Sequence, residues 1–212
     1  MWQGFEMGLI DSARCNGRMV SEAEIVSRLA VHAAPCEQLA GSAARRSAAV
    51  LVPLLCQNGA WQLLFTRRTE QVPHHKGQVS FPGGAYEPGD ENLVQTALRE
   101  ASEEIGLLPA DVRILGELSD LPSVSNYLIT PIVGRITRPF DVKLSKYEVS
   151  RVFTIPLEWL ADARHWEMRP YQAADGQTYE VIYFQPYDGE ILWGATASMT
   201  VLLLQTLGLE NI

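Results

Sequence analysis

Three glutamates, Glu100, Glu103 and Glu104, stand three and four residues apart, which places them on one patch of a helix. At a separation of about 5–6 Å each pair repels by roughly 3 kcal/mol at an effective dielectric of 20, and by under about 1 kcal/mol in water. A solvated acidic edge tolerates the smaller cost. A cleft tolerates the larger one only with a cation among the oxygens, and a hard divalent ion such as Mg²⁺ takes ligands of this kind, with waters and substrate phosphates completing its shell. On spacing alone, both a solvated face and a metal site stand.

The elements that must position these carboxylates are legible on either side. Leu93, Val94, Ala97, Leu98, Ala101 and Ile105 recur at spacings of one, three and four, an apolar stripe that predicts a helix, with Asp90 at its N-cap and Gly106 as its stop. Gly83 and Gly84 precede it and let backbone approach a site closely. Further upstream, Ala48 to Leu55 is an apolar run of strand length, Asn58-Gly59 is a hairpin turn, and Trp61 to Thr66 is the returning strand. Between that hairpin and the glycines lies the one locally basic stretch, Arg67, Arg68, His74, His75 and Lys76. Any one of these residues reads as solvated loop; as a group they are placed to meet phosphates that the carboxylates would repel.

Phe81-Pro82-Gly83-Gly84 followed by Arg99-Glu100-x-x-Glu103-Glu104-x-Gly106-Leu107 resembles the signature of the Nudix hydrolases. The first half is stretched by one residue: Glu91 keeps the family spacing to Arg99, whereas Asp90 keeps it to Gly84. Leu64-Phe65-Thr66-Arg67-Arg68 and Gly77-Gln78-Val79-Ser80-Phe81-Pro82-Gly83-Gly84 resemble the upstream motif of the coenzyme A pyrophosphatase branch, which shares the stretch. That motif carries an arginine four residues before the glycine at 77. Here the place is taken by Pro73, which supplies neither charge nor an N–H.

Composition bounds the rest. The chain has 212 residues, 47% hydrophobic and 20% charged, enough for one globular domain with an appendage. A net charge of −8 argues against general nucleic-acid binding. No apolar run reaches membrane-spanning length, and the N-terminus lacks the regions of a signal peptide. Cys15, Cys36 and Cys56 are odd in number and follow no ligand or disulfide spacing, which points to a reducing, cytoplasmic setting.

Along the remaining chain, residues 1–45 read as an arm and a helix opened by the capping box Ser21-x-x-Glu24, followed from Ala40 by a linker. Val112 to Leu118 and Leu128 to Ile136 read as strands, the second with Pro131 suggesting an edge or bulge. Arg151 to Ile155 is a further strand, Pro156 to Leu160 a short helix, and Tyr179 to Phe184 a strand before the Asp188-Gly189 turn. Ala195 to Leu207 closes the chain as a helix.

The pattern gives a mixed α/β protein. The resemblance sharpens it to an α/β/α Nudix sandwich over residues 46–212, with a short N-terminal helical extension. It also implies metal-dependent hydrolysis of a pyrophosphate bond in coenzyme A or acyl-coenzyme A. Mg²⁺ or Mn²⁺ would be held by Glu100, Glu103 and Glu104, with Glu148 as a candidate further ligand. Arg99 is expected to hold the glutamates, and Arg67, His74, Lys76, Gly83 and Gly84 to meet substrate. Another Nudix specificity, such as ADP-ribose, and a binding module without turnover stand as alternatives. The expected partner is a small nucleotide rather than nucleic acid or membrane, with a homodimer open.

Overall fold

A computed structural model describes Cys15 and residues 19–32, 45–73, 75–172 and 176–209. His74, Cys36 and most of the predicted linker from Ala40 lie outside the described residues. The elements, in chain order, are α1 (Glu22–His32), β1 (Arg46–Gln57), β2 (Ala60–Arg68), β3 (Val79–Ser80), β4 (Gly83–Ala85), α2 (Leu93–Ile105), β5 (Val112–Glu117) and β6 (Leu121–Pro122). They continue with β7 (Tyr127–Ile136), β8 (Val149–Pro156), α3 (Leu157–Ala161), β9 (Trp166–Gln172), β10 (Thr178–Phe184) and α4 (Gly194–Thr206).

The hairpin at Asn58-Gly59 forms because both residues take positive φ, 53° and 76°, so β2 returns antiparallel to β1 with Gln57 opposite Ala60. β1 runs parallel to β7, and β7 takes β5 and β6 on its far side. β2 takes β3 on one edge and β8 on the other, and β4 pairs with β1. One mixed sheet results. Pro131, expected at an edge or bulge, sits inside central β7. Its missing N–H falls where β7 changes partner from β6, paired at Ile129, to β5, paired at Ile132.

Alternation along the strands gives the sheet two apolar faces. On one, Ala49, Leu51, Leu55, Leu64, Ile132 and Val152 pack against Ala97, Ala101 and Ile105 of α2. On the other, Val52, Leu54, Leu63, Phe65 and Phe153 pack with residues of α1, α3 and α4. The predicted α/β/α sandwich is therefore the observed fold.

The N-terminal helix is part of that second layer. Ser21 and Glu24 close the capping box, with the Ser21 N–H on Glu24 at 2.8 Å and the Glu24 N–H on Ser21 at 3.3 Å. Ile25 and Leu29 are buried, and the indole N–H of Trp61 donates to the Val20 carbonyl at 2.8 Å. Gly116 makes the fit possible, since a Cβ there would stand 2.8 Å from that of Leu29. Cys15 and Cys56 form a disulfide, Cα atoms 5.6 Å apart, which ties the chain ahead of α1 to β1. This corrects the reading of the cysteines: residues 41 apart in sequence meet where Cys15, ahead of α1, reaches β1. The pairing removes the ground on which cysteine spacing pointed to a reducing compartment.

β9 has no counterpart among the predicted strands. It pairs with β10 as a separate two-stranded sheet, steadied by rings of Tyr171 and Tyr183 against Trp193, 5.7 and 5.3 Å between centroids. Among the described residues no helix is long and apolar enough to cross a membrane.

Candidate active site

The N-cap of α2 is Asn92, whose side chain accepts from the Gln95 N–H at 2.9 Å; Asp90, expected there, does something else. Asp90 is buried, and its carboxylate accepts from Arg99 Nε at 3.0 Å and Nη2 at 3.1 Å. The same carboxylate takes the Thr96 hydroxyl at 2.9 Å and the Glu87 N–H at 3.0 Å. The Arg99 guanidinium and these donors hold the Asp90 carboxyl well below the usual range. The one-residue stretch in the signature is thereby resolved at the arginine: Asp90 reaches it, while Glu91 is exposed.

Arg99 is used up inside the protein. Besides Asp90, its Nη1 donates to Glu100 at 3.0 Å and Glu103 at 3.3 Å, and its Nη2 to the Ala85 carbonyl at 3.2 Å. With every arm of the fork engaged, Arg99 aligns two glutamates and fastens α2 to β4.

Gly83 and Gly84 lie on β4, opposite Val50 and Ala49 of β1. A Cβ on Gly83 would stand 2.5 Å from the Ala49 carbonyl oxygen, and one on Gly84 would stand 2.5 Å from the carboxyl carbon of Glu100. The first glycine admits the neighbouring strand. The second admits the carboxylate.

Glu104, one turn beyond Glu100, is 3% exposed and faces the sheet. Burial pushes its pKa up to about 8; Arg68, with Nη1 at 3.9 Å, opposes this, and the charges of Glu100 and Glu148 add to it. Its Oε2 and the Nε of Arg68 are buried without a hydrogen-bond partner. The Glu100 carboxyl is also raised by burial, against the pull of Arg99 and with the push of Glu103 and Glu148. Glu103 is the exposed member of the three. Glu148 arrives on the loop before β8, which is fastened to the end of α2 by the Ser145 N–H on the Glu104 carbonyl at 2.9 Å. As the side chains stand, no three carboxylates, imidazoles or thiols among the described residues are gathered around one point. Arg99 draws Glu100 and Glu103 toward itself.

The basic segment divides between the faces. Arg67, expected to meet substrate, lies on the side of Phe65 and Phe153, with Glu190 at 3.6 Å and Glu70 at 3.7 Å, and does not join the carboxylate helix. Arg68 does. Strand alternation past Thr66 is the signal for it: Leu64 faces α2, and two steps of two along the strand lead to Arg68. A bulge in β8 opposite Arg67 and Arg68 keeps Val149 and Val152 on the α2 side. Lys76 is exposed, and Pro73 beside it is exposed too.

The donor set fits a hard divalent ion: oxygens only, one of them buried and unpaired, in a site desolvated enough to keep a proton on Glu104 when no cation compensates. The profile of the NUDIX domain matches residues 45–167, more than half of the chain. The chain belongs to the Nudix family. As a Nudix hydrolase it is an enzyme that cleaves the pyrophosphate bond of nucleoside diphosphate derivatives, in a family that generally uses Mg²⁺ or Mn²⁺. Proteins of Yersinia pestis (strain Pestoides F) and Yersinia pseudotuberculosis (strain IP 31758), each named as an uncharacterized Nudix hydrolase NudL, are 39% identical over 165 residues, covering 77% of this chain and 81% of theirs. Among solved structures, a C. elegans Ap4A hydrolase binary complex is 24% identical with a TM-score of 0.45, covering 53% of this chain and 81% of its own. The NUDIX domain of Shewanella oneidensis NrtR complexed with ADP ribose is 19% identical with a TM-score of 0.42, covering 65% and 84%.

Proposed function

We propose that this Nudix hydrolase acts on coenzyme A or acyl-coenzyme A, releasing adenosine 3′,5′-bisphosphate and (acyl-)4′-phosphopantetheine. Water adds to one phosphorus of the anhydride, the bridging oxygen leaves with the other phosphate, and a proton is released. The observation that carries the hydrolytic reading is Glu104, a buried carboxylate with an unpaired oxygen, beside Glu100 and within the field of Glu148.

Glu100, Glu103 and Glu104 would hold Mg²⁺ or Mn²⁺, with Glu148 as a further oxygen donor. When bound, the ion supplies charge neutralisation at the phosphoryl oxygens and acidifies water. The remaining tasks fall to the chain. Asp90 fixes Arg99, and Arg99 fixes the line of Glu100 and Glu103. Gly84 leaves the volume that the Glu100 carboxylate occupies. Arg68 keeps a cation against Glu104 in a low-dielectric setting, where it also offers charge to an incoming phosphate.

The coenzyme A reading rests on the motif from Leu64 to Gly84, and the ion pairs of Arg67 guide which of its cations we assign to substrate. With Arg67 held by Glu70 and Glu190, and Pro73 in place of an arginine, Lys76 is the cation we assign to the 3′-phosphate. A charge-assisted contact to a phosphate contributes roughly 1.5–3 kcal/mol, or about 10- to 150-fold in kcat/KM. We expect coenzyme A to be preferred over dephospho-coenzyme A near the lower end of that range, and Lys76→Ala to shrink the ratio while leaving dephospho-coenzyme A hydrolysis nearly unchanged. Steady-state kinetics on both substrates, with ADP-ribose alongside, decides the matter. Equal rates on coenzyme A and dephospho-coenzyme A, with faster cleavage of ADP-ribose, would replace this specificity with the second reading, which Pro73 favours.

A further inference from the structure

β9 is paired along one edge. Among the described residues its strand partner is β10 alone, and the two stand as a sheet apart from the main one. Every residue from Glu167 to Gln172 is exposed. A two-stranded sheet is of marginal stability by itself and gains from further strands.

Which backbone groups lie on the free edge follows from the far side of β10. Tyr183 lies opposite Trp193, and the Phe184 N–H donates to the Leu192 carbonyl at 2.8 Å, so the backbone groups of Ile182 and Phe184 point away from β9. Alternation turns those of Tyr179, Val181 and Tyr183 toward β9, where they meet Tyr171, Arg169 and Glu167. The N–H and C=O groups of Trp166 and Met168, and the C=O of Pro170, are left facing outward. Pro170 thus stands where its missing N–H costs the hairpin nothing.

The side chains along that edge are self-complementary. Glu167 and Arg169 flank Met168 on one face of β9 and pair with each other at 2.6 Å. Arg169 also lies over the Tyr183 ring, 5.2 Å from its centroid. An edge lined with charges and a proline resists pairing with an arbitrary strand. A second copy of β9, antiparallel about a two-fold axis through Met168, is the exception, because each Glu167 then lies opposite the other copy's Arg169. Each Met168, 50% exposed, meets its counterpart and exchanges both backbone hydrogen bonds with it, and each Trp166 N–H reaches the opposite Pro170 carbonyl. The neighbouring registers set Glu167 on Glu167 or Arg169 on Arg169, so the charges select one register.

We propose that the free edge of β9 is the interface of a symmetric homodimer, in which two hairpins join into one four-stranded sheet. The hairpin is anchored through Trp166 and Phe184 in the apolar cluster on the face opposite α2, so the pairing is independent of which substrate the carboxylates serve.

Sedimentation velocity on the whole chain over a concentration series reads the assembly, and wild type should be a reversible dimer. Glu167→Arg and Arg169→Glu each set like charges opposite one another at both positions and should weaken dimerisation by about 5- to 500-fold. An equimolar mixture of those two variants regains both opposite-charge pairs and should dimerise about as tightly as wild type. Recovery in the mixture requires both partners to be folded. Wild type that stays monomeric at about 1 mM overturns the proposal. Single variants that dimerise like wild type also overturn it, since the contact then lies elsewhere. A mixture that stays monomeric does so too, since Glu167 is then not set against Arg169.

Discussion

Glu103→Gln is expected to cost at least about 100-fold in kcat at saturating Mg²⁺ while leaving the protein folded and almost as stable as wild type. The two halves of that expectation have different origins. Glu103 is the exposed carboxylate of the three, its side chain 58% accessible, and its pairing in the structure is an i,i+4 contact with Arg99. A pair so exposed contributes under about 1 kcal/mol to folding. Arg99 keeps Asp90, Glu100 and Ala85 when Glu103 is neutralised, so the frame of the site survives. An amide lacks the charge of a metal ligand, however, and loses both ion affinity and charge placement around the anhydride. Steady-state kinetics beside thermal denaturation separates these contributions. Near-normal kcat at saturating metal would show the patch to be a solvated helix face.

In metal-free protein, stability should fall as pH rises from about 5 to 8, and Glu104→Gln should abolish most of that fall. The sign follows from proton counts. Glu104 titrates at about 8 in the folded chain against an ordinary value of 4.5, so between those values the folded state holds a proton that the unfolded state has released. Unfolding is therefore progressively favoured as pH rises through that window, by at most about 1.4 kcal/mol per pH unit and by a few kcal/mol in all. For a chain of this size that is roughly 5–10 °C in Tm. Denaturation in excess chelator at pH 5 and pH 8 gives the comparison. An identical decline in wild type and Glu104→Gln would mean that burial does not govern this carboxyl.

Much of the site is legible in the sequence because its spacing is local. The helix, the stripe that buries it, and the three glutamates on its flank are all set by a period of 3.6 residues over one stretch of chain. Gly83 and Gly84 are legible as places of close approach, though which backbone and which carboxylate approach them emerges only from the pairing of β4 with β1. Relations between distant segments are not legible in this way. Arg67 and Arg68 are adjacent in sequence and sit on opposite faces of the sheet, a distinction that depends on how far β2 extends past Thr66. Asp90 reads as a cap from its position, yet its side chain belongs to Arg99, nine residues on, and Asn92 takes the helix terminus. The Cys15–Cys56 disulfide depends on α1 folding back across β5, which no local pattern encodes. β9 is hidden for a related reason. Trp166 to Gln172 alternates weakly and contains Pro170, and it becomes a strand because β10 pairs with it.

The central claim is that a cation acts with the α2 carboxylates to open a pyrophosphate bond. Formation of adenosine 3′,5′-bisphosphate from coenzyme A, followed by chromatography with Mg²⁺, then in excess chelator, then with Mg²⁺ restored, tests it most directly. The expected result is product with Mg²⁺, none in chelator, and full recovery on restoring the ion. Product that continues to form in excess chelator would contradict the claim.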